Sequence, residues 1–562
     1  MNTSRIYAAI SGFLATVAAL AVGELAAGLV SSWYSPIQAV GDTVIFYTPQ
    51  PVTKFAINTF GTNDKIALIV GTLLITLAFG TILGLIGRRW LPVAWGGIVL
   101  FGLIGVASSI FQEDIVAAVP SVLTVVAGIP LLTLLLKKAP ASTRDARNDR
   151  ASDTRQAPTR SADPIQPDEP ALAGAPGHLD DGHGDRRTFL ALSGGLLVAS
   201  AAAVATGRAL IGQRSDAVAD SRDQIAARIS TPGTEAASES TSGPLGAVAE
   251  PLPPLPEGVD FDIEGLANFQ TTDENFYRID TALSVPQISP DEWTLRIHGM
   301  VDNELELGYE ELLSRDDLIE ADITLACVSN EVGGDLISSG RWTGVPLQNL
   351  LEEAGVQGQA TQVVGRDDAD FTTGFPVEVL QDGRPAMLAL LFNGEPLSPE
   401  RGFPARIVVP GLYGYVSATK WITEMELTTF EDFDQYWVER GWDAEGPIKL
   451  QSRIDVPKAL ERVPAGEIVV AGVAWDPTVG IDKVQIRVDD GEWEDTELAE
   501  ELNVLTWRQW RYTWNASEPG NYKMTVRATN KDGEVQTDER QPPFPNGASG
   551  LMTLLVSVAE QA

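Results

Sequence analysis

The sequence is short of the residues that hold most metal and redox centres. It has one cysteine, Cys327, and three histidines, His178, His183 and His298, in 562 residues. A single thiol cannot form an intramolecular disulfide. So few histidines exclude a His-rich metal centre and a haem ligated by histidines within a membrane. No haem-attachment motif, cysteine cluster for iron–sulfur or Gly-rich dinucleotide turn occurs. Basic residues are scarce as well: 40 Lys and Arg face 76 Asp and Glu, a net charge of -36. Nucleic-acid binding is thereby excluded, because no cationic excess exists to neutralise phosphates. The acidity fits a soluble domain held away from an anionic membrane surface, and equally fits salt adaptation.

Long apolar runs are present. Four stretches, 6–30, 66–86, 91–111 and 115–136, are long enough to cross a bilayer, which takes about 20 helical residues. Arg5 precedes the first, Arg88 and Arg89 follow the second, and Lys137 and Lys138 follow the fourth. Positive flanks mark the cytoplasmic side, so the N-terminus is expected inside and the loop 31–65 outside. Glu24 falls within the first span. An intramembrane carboxylate is costly and points to a proton path or a helix contact, unless it snorkels to the outer end. No membrane-embedded Lys, Arg or His is expected to partner it. The region 1–138 therefore reads as an all-α transmembrane bundle that anchors the chain or docks a partner.

Residues 139–185 are rich in Ala, Asp, Arg, Pro, Ser, Thr and Gly, with few large apolar side chains. Such a segment cannot offset its ordering entropy and is expected to be a disordered cytoplasmic linker. Next, Asp185-Arg186-Arg187-Thr188-Phe189-Leu190 leads into a small-residue apolar run. This resembles a twin-arginine export signal, which carries folded proteins across a membrane. Here it is internal, so 186–212 is expected to remain as a fifth span. Residues 213–256 read as an external tether.

From 257 onward the texture changes to short alternating runs. Residues 292–299 and 421–427 read as strands, and 309–313 and 347–354 as short helices, the second closed by Gly355. The region 257–445 is thus α+β. In 446–562, four alternating segments (468–475, 484–488, 507–514 and 522–528) and hairpin-like turns at 489–491 and 531–533 suggest an all-β, immunoglobulin-like sandwich. Its tryptophans, Trp475, Trp493, Trp507, Trp510 and Trp514, are expected in its core and at the domain interface.

The soluble half is organised around Thr324-Leu-Ala-Cys327-Val-Ser-Asn330, which sets the lone thiol where a strand runs out into a polar turn. Six further segments accompany it: Asn275-Phe-Tyr-Arg278, Trp293 to Gly299, Gly340-Arg-Trp-Thr-Gly-Val-Pro-Leu347, Phe392-Asn-Gly-Glu-Pro-Leu397, Arg401 to Pro410, and Tyr413 to Ile422. Together, in this order and spacing, they resemble the sulfite oxidase family of molybdopterin enzymes. The resemblance covers the soluble half and none of the membrane half. It implies a molybdenum–molybdopterin cofactor with Cys327 as the protein's thiolate on the metal, a soft ligand suited to a metal that changes oxidation state. Arg406 and Lys420 suit the pterin phosphate, one as a fork and one as a point charge. Ser417 and the backbone of 414–419 could cradle it. By the same resemblance Asn275, Tyr277, Arg278, Thr372 and Arg401 lie on the cofactor side, and the C-terminal domain is of the kind that makes a dimer contact.

Two departures bear on substrate. Sulfite oxidases carry a basic residue soon after the cysteine, where this chain has Glu331. They carry a tyrosine before the Asn-Gly turn, where this chain is apolar, about Leu390. Sulfite binding is therefore expected to be poor, with Arg341 the remaining candidate for substrate charge. The expected protein is an outward-facing, membrane-anchored molybdopterin oxidoreductase that exchanges electrons with a separate partner. A cofactor-free binding protein reusing the fold is the competing reading, favoured by Glu331.

Overall fold

The computed structural model describes residues 3–30, 33–48, 52, 55–56, 59–60, 64–112, 115–140, 181–229, 248 and 250–559. The chain divides into two units, Met1–Arg214 and Ser215–Ala562. The expected linker falls mostly on 141–180, outside the described residues.

In the first unit lie α1 (Thr3–Leu29), α2 (Pro36–Tyr47), α3 (Asp64–Gly87), α4 (Leu91–Gln112), α5 (Val119–Lys138) and the start of α6 (Asp181–Ile229). Five of these, all but α2, are long and apolar enough to cross a membrane. Small residues at helix contacts let the backbones approach closely. Gly12 and Gly84 supply that approach: a Cβ on Gly12 would stand 2.1 Å from the Gly80 carbonyl oxygen, and one on Gly84 2.3 Å from that of Ala8. The same device joins α1 to α6, where a Cβ on Gly207 would lie 2.7 Å from the Glu24 carbonyl. Glu24 is not alone, as the sequence suggested. The Ser35 hydroxyl donates to its carboxylate, and Arg208 of α6 acts on it electrostatically. The expectation of no cationic partner is corrected by Arg208, 184 positions further along the chain.

The expected tether is a correction of the same kind. α6 continues to Ile229, and Val218 and Ile225 on its last turns are buried in the core of the second unit. Arg222 between them donates to the carbonyls of Pro396 and Leu397, at 3.0 and 2.7 Å. The helix also begins at Asp181, within the stretch expected to be linker.

In the second unit, two sheets and three short helices build the α+β region. Strands β1 (Thr294–Gly299), β2 (Leu305–Gly308), β5 (Gln362–Asp367), β6 (Thr372–Pro376) and β10 (Ile422–Thr428) form a sheet in the order β2-β1-β10-β5-β6. Strands β3 (Ile319–Ala326), β4 (Ile337–Pro346), β7 (Met387–Phe392) and β8 (Glu395–Pro396) form the other in sequence order, with β9 (Arg406–Val408) added to β7. The helices are α7 (Tyr309–Leu313), α8 (Leu347–Ala354) and α9 (Gly414–Ser417). β7 is wholly buried, as its unbroken apolar run dictates, and β3 is mostly buried although Asp322 and Thr324 interrupt its apolar residues. α8 ends at Gly355, whose φ of 70° is the left-handed cap that glycine adopts without strain.

The C-terminal residues make two further sheets. One orders β11 (Gln451–Val456), β13 (Gly466–Trp475), β17 (Arg508–Ala516) and β16 (Glu497–Leu498) as β11-β13-β17-β16. The other orders β12 (Arg462–Pro464), β19 (Met552–Ala559), β18 (Gly520–Asn530), β14 (Ile481–Val488) and β15 (Glu494–Asp495) as β12-β19-β18-β14-β15. Trp510 and Trp514 fill the core between them, whereas Trp475 and Trp507 belong to the core of the α+β region. Trp507 donates from its indole to the Phe269 carbonyl at 2.9 Å and from its backbone to Thr324 Oγ1 at 2.8 Å, directly behind the strand that carries the thiol.

Candidate functional site

Cys327 follows the last residue of β3. Its amide donates to the Leu336 carbonyl at 2.9 Å, closing a tight excursion between β3 and β4. Asn330 Oδ1 holds that turn by accepting from the Leu336 amide at 3.0 Å. A Cβ on Gly334 would stand 2.4 Å from the same oxygen, so the turn requires glycine there. The thiol is 7% exposed and accepts from the Ser329 amide at 3.4 Å. Burial pushes its pKa up, against the Ser329 contact that lowers it. Without a metal the thiol stays protonated, whereas a coordinated cation would take it as thiolate.

Tyr277 and Tyr413 lie close enough to Cys327 for its charge to raise theirs further, after burial, which is the larger cause. The Tyr277 amide donates to Ser338 Oγ at 3.1 Å. A Cβ on Gly414, at the start of α9, would find Tyr277 Oη at 3.7 Å and the Ala326 carbonyl at 3.8 Å. Strand end, tyrosine and α9 thus converge on one spot.

Beside it stands a cluster of cations. Arg406 and Lys420, fourteen positions apart, are brought together by an antiparallel bridge between their backbones, and directly paired residues project to the same side. Lys420 Nζ donates to Asp280 Oδ2 at 2.8 Å, and Arg278 Nε reaches the same oxygen at 2.7 Å. Arg401 grips the 273–277 loop through the Asp273 carboxylate and carbonyl, at 3.2 and 2.9 Å, and the Tyr277 carbonyl, at 2.8 Å. Arg406 is different. It is 6% exposed, and its guanidinium meets only the carbonyls of Ile407, Arg401 and Ala418, at 3.5, 3.2 and 3.3 Å, above the Trp342 ring at 5.2 Å. No carboxylate among the described residues pairs with it. Desolvation lowers its pKa to about 10, with Tyr277 opposing and Arg401 adding. Lys420 is lowered by desolvation to about 8 despite Asp280.

Four cations (Arg278, Arg401, Arg406, Lys420) therefore meet two carboxylates (Asp273, Asp280), an excess of two positive charges. In a chain with a net charge of -36 this local excess needs a reason. A buried cation without a counter-charge costs several kcal/mol (~3–5). A phosphate-bearing anion beside a thiol would remove that cost, so the residues fit a molybdopterin whose metal Cys327 binds.

The other expected site residues fare unequally. Asn275 is exposed, its amide donating to Thr272 Oγ1 at 3.1 Å. Ser417 is fully buried and turns inward to the carbonyls of Leu412 and Tyr413. Thr372 Oγ1 accepts from the Tyr436 amide at 2.9 Å. The Ser417 hydroxyl is committed to its own loop, whereas Thr372 accepts from a segment 64 residues along the chain. Arg341 is not brought to the cluster. It pairs with Asp322 across β3 and β4, and Asp322 is five residues before Cys327, about 16 Å at ~3.3 Å per residue. Leu390 is wholly buried and Glu331 is exposed. Sequence reasoning missed Asp280, Trp342 as the platform for Arg406, and Asp322. The last had a visible signal: a carboxylate in the middle of an apolar strand needs a partner.

Comparison with known proteins agrees with this geometry. Residues 282–437 match the family model described as the oxidoreductase molybdopterin binding domain. The rat mitochondrial sulfite oxidase is 27% identical over 315 residues, covering 46% of this chain and 56% of that protein. The uncharacterized oxidoreductase YuiH of Bacillus subtilis is 32% identical over 155 residues, 28% of this chain and 74% of YuiH. A nitrate reductase [NADH] of Brassica napus is 29% identical over 180 residues, 27% of this chain and 20% of its own. The chain thus spans about half the length of the sulfite oxidases it matches. Among solved structures, the sulfane dehydrogenase SoxCD of Paracoccus pantotrophus aligns with a TM-score of 0.46 at 21% identity, over 59% of this chain and 89% of that one.

Proposed function

The chain belongs to the sulfite oxidase family of molybdopterin-dependent oxidoreductases, and on that premise we propose that it is a membrane-anchored enzyme whose catalytic half faces outward. The bound molybdenum–molybdopterin would supply two-electron or oxygen-atom transfer. In this reading Cys327 gives the metal its protein thiolate. Arg406, Lys420 and Arg278 take the phosphate and pterin edges. Arg401 fixes the 273–277 loop that carries Asn275 and Tyr277, and Thr372 and Ser417 brace the loops behind them. Five helices of crossing length support the anchor. The Arg186-Arg187 pair ahead of the fifth supports export of an already loaded domain. The C-terminal two-sheet region is read as immunoglobulin-like and as a homodimer contact, and electrons pass to a separate partner.

The substrate is proposed not to be sulfite. An anion needs positive charge at the metal, yet Glu331 follows the thiol, Leu390 replaces a polar group, and Arg341 is spent on Asp322. The observation that carries the proposal is Arg406, a buried guanidinium without a carboxylate. A cofactor-free binding protein would have no use for it. The test is molybdenum and pterin content of the purified chain. We expect about one metal per chain, and Cys327→Ser to lose the sulfur contribution to the metal's X-ray absorption. Metal-free protein from cells able to load related enzymes would end the proposal.

A further inference from the structure

We propose that Arg222, on the last turns of α6, is a positioning residue for the cation cluster beside Cys327. The inference deepens the molybdenum reading and rests on it. Three of the four cations are tied to one short segment, 396–402. Arg401 belongs to that segment and reaches from it to the 273–277 loop. Arg406 Nη1 donates to the Arg401 carbonyl at 3.2 Å, and Lys420 Nζ to that of Glu400 at 3.4 Å. Trp421, next to Lys420, donates from its indole to the Pro399 carbonyl at 2.8 Å and from its backbone to that of Gly402 at 3.3 Å. Ser398 Oγ donates to Asp273 Oδ1 at 3.0 Å, the carboxylate oxygen that Arg401 also holds. A shift of this segment therefore moves Arg401, Arg406 and Lys420 relative to one another.

α6 holds the start of the segment. The segment leaves β8, which stands at the end of its sheet's strand order. There Arg222 Nε donates to the Leu397 carbonyl at 2.7 Å and Nη2 to the Pro396 carbonyl at 3.0 Å. Two donors of one planar fork on consecutive carbonyls set orientation as well as distance. Val218, four residues before Arg222, and Ile225, three after, share its helix face and are buried in the core of the second unit. Apolar packing thus fixes the backbone from which Arg222 reaches. Arg228 on the same helix has a different partner: it meets Glu310 at 2.7 Å, and both side chains are exposed.

The test compares the full chain with Arg222→Met, Arg222→Lys and two controls. Arg228→Met removes a cation from the same helix. Ile486→Ala removes side-chain volume from the core between the C-terminal sheets, where Ile486 is 1% exposed, and so lowers stability away from the segment. Two rates are read: loss of molybdenum after dilution, by elemental analysis, and exchange of the backbone amides of 401–403 in cofactor-free protein. Those amides donate within the segment, Arg401 and Phe403 to the Ser398 carbonyl and Gly402 to that of Pro399. Groups that orient ligands from behind are worth about ten- to a hundredfold in metal affinity, so Arg222→Met should lose molybdenum about tenfold faster. Its 401–403 amides should exchange several times faster. Arg222→Lys should fall between Arg222→Met and wild type. Arg228→Met should match wild type, and Ile486→Ala should lower the urea midpoint while leaving both rates near wild type. If Arg222→Met leaves either rate unmoved, the proposal is overturned. It is equally overturned if Ile486→Ala speeds both rates as much, because Arg222 then acts only through overall stability. Metal-free wild-type chain removes the molybdenum reading and this proposal together, whereas metal-bearing wild type with a silent Arg222→Met removes this proposal alone.

Discussion

Arg341 and Arg406 make an instructive pair. Both are arginines on strands of the same sheet, and both are largely shut off from water. Arg341 Nε and Nη2 reach the two oxygens of Asp322 at 3.1 and 2.9 Å, and Nη1 reaches the Leu252 carbonyl at 3.2 Å. Arg406 has three carbonyls at 3.2–3.5 Å and an indole face. The first charge is complete within the fold. The second meets no carboxylate among the described residues, and in the proposed reading a bound anion completes it. That contrast separates a structural arginine from a binding one better than burial does.

The contrast is most directly broken at the paired side. Arg341→Met strands the Asp322 carboxylate, whose side chain is 4% exposed. Losing one partner of a buried pair should destabilise the second unit by about 3–5 kcal/mol in urea unfolding, and adding Asp322→Leu should recover most of it. If Arg341 instead served the substrate, its loss would lower turnover without lowering stability. At the unpaired side the signs reverse. Arg406→Met removes an uncompensated buried charge, so cofactor-free protein should unfold at the same or a higher urea concentration. Loaded protein should lose charge-assisted contacts of about 1.5–3 kcal/mol, seen as roughly tenfold or faster loss of molybdenum on dilution. Equal destabilisation by both substitutions would show that the two arginines do the same job.

Much of this was legible before any coordinates. α7 and α8 fall on 309–313 and 347–354, because short-range periodicity and the Gly355 cap are local signals. The thiol at a strand exit and the Arg406–Lys420 pair came from motif order. What escaped is non-local. Asp322 and Arg341 are 19 positions apart and meet only through the β3–β4 register, which no local pattern reveals. The length of α6 escaped for another reason. Its last turns are polar in composition, and Val218 and Ile225, two helical turns apart, were too sparse a stripe to outweigh the Ser and Ala around them. Ser417 had the right chemistry for a ligand, but its hydroxyl donates to the carbonyls of its own loop.

A smaller effect sharpens the contrast further, through Lys420. Desolvation lowers this ammonium from its ordinary 10.5 to about 8, in spite of Asp280, with Arg406 and Arg278 pushing the same way. Between those two pH values the unfolded chain holds a proton that the folded chain has released. Stability of cofactor-free protein must therefore rise with pH across that window, by up to about 3 kcal/mol, and the penalty is fully present below pH 8. An anion bound beside Lys420 favours the charged form and flattens the slope. We expect urea midpoints of cofactor-free protein to climb between pH 8 and 10 by more than those of Lys420→Met, in which Asp280 keeps Arg278 at 2.7 Å. Loaded protein should behave like the variant. If cofactor-free and loaded protein share one slope, the positive excess beside Cys327 is not where the anion sits, and Arg406 is merely a poorly paired arginine.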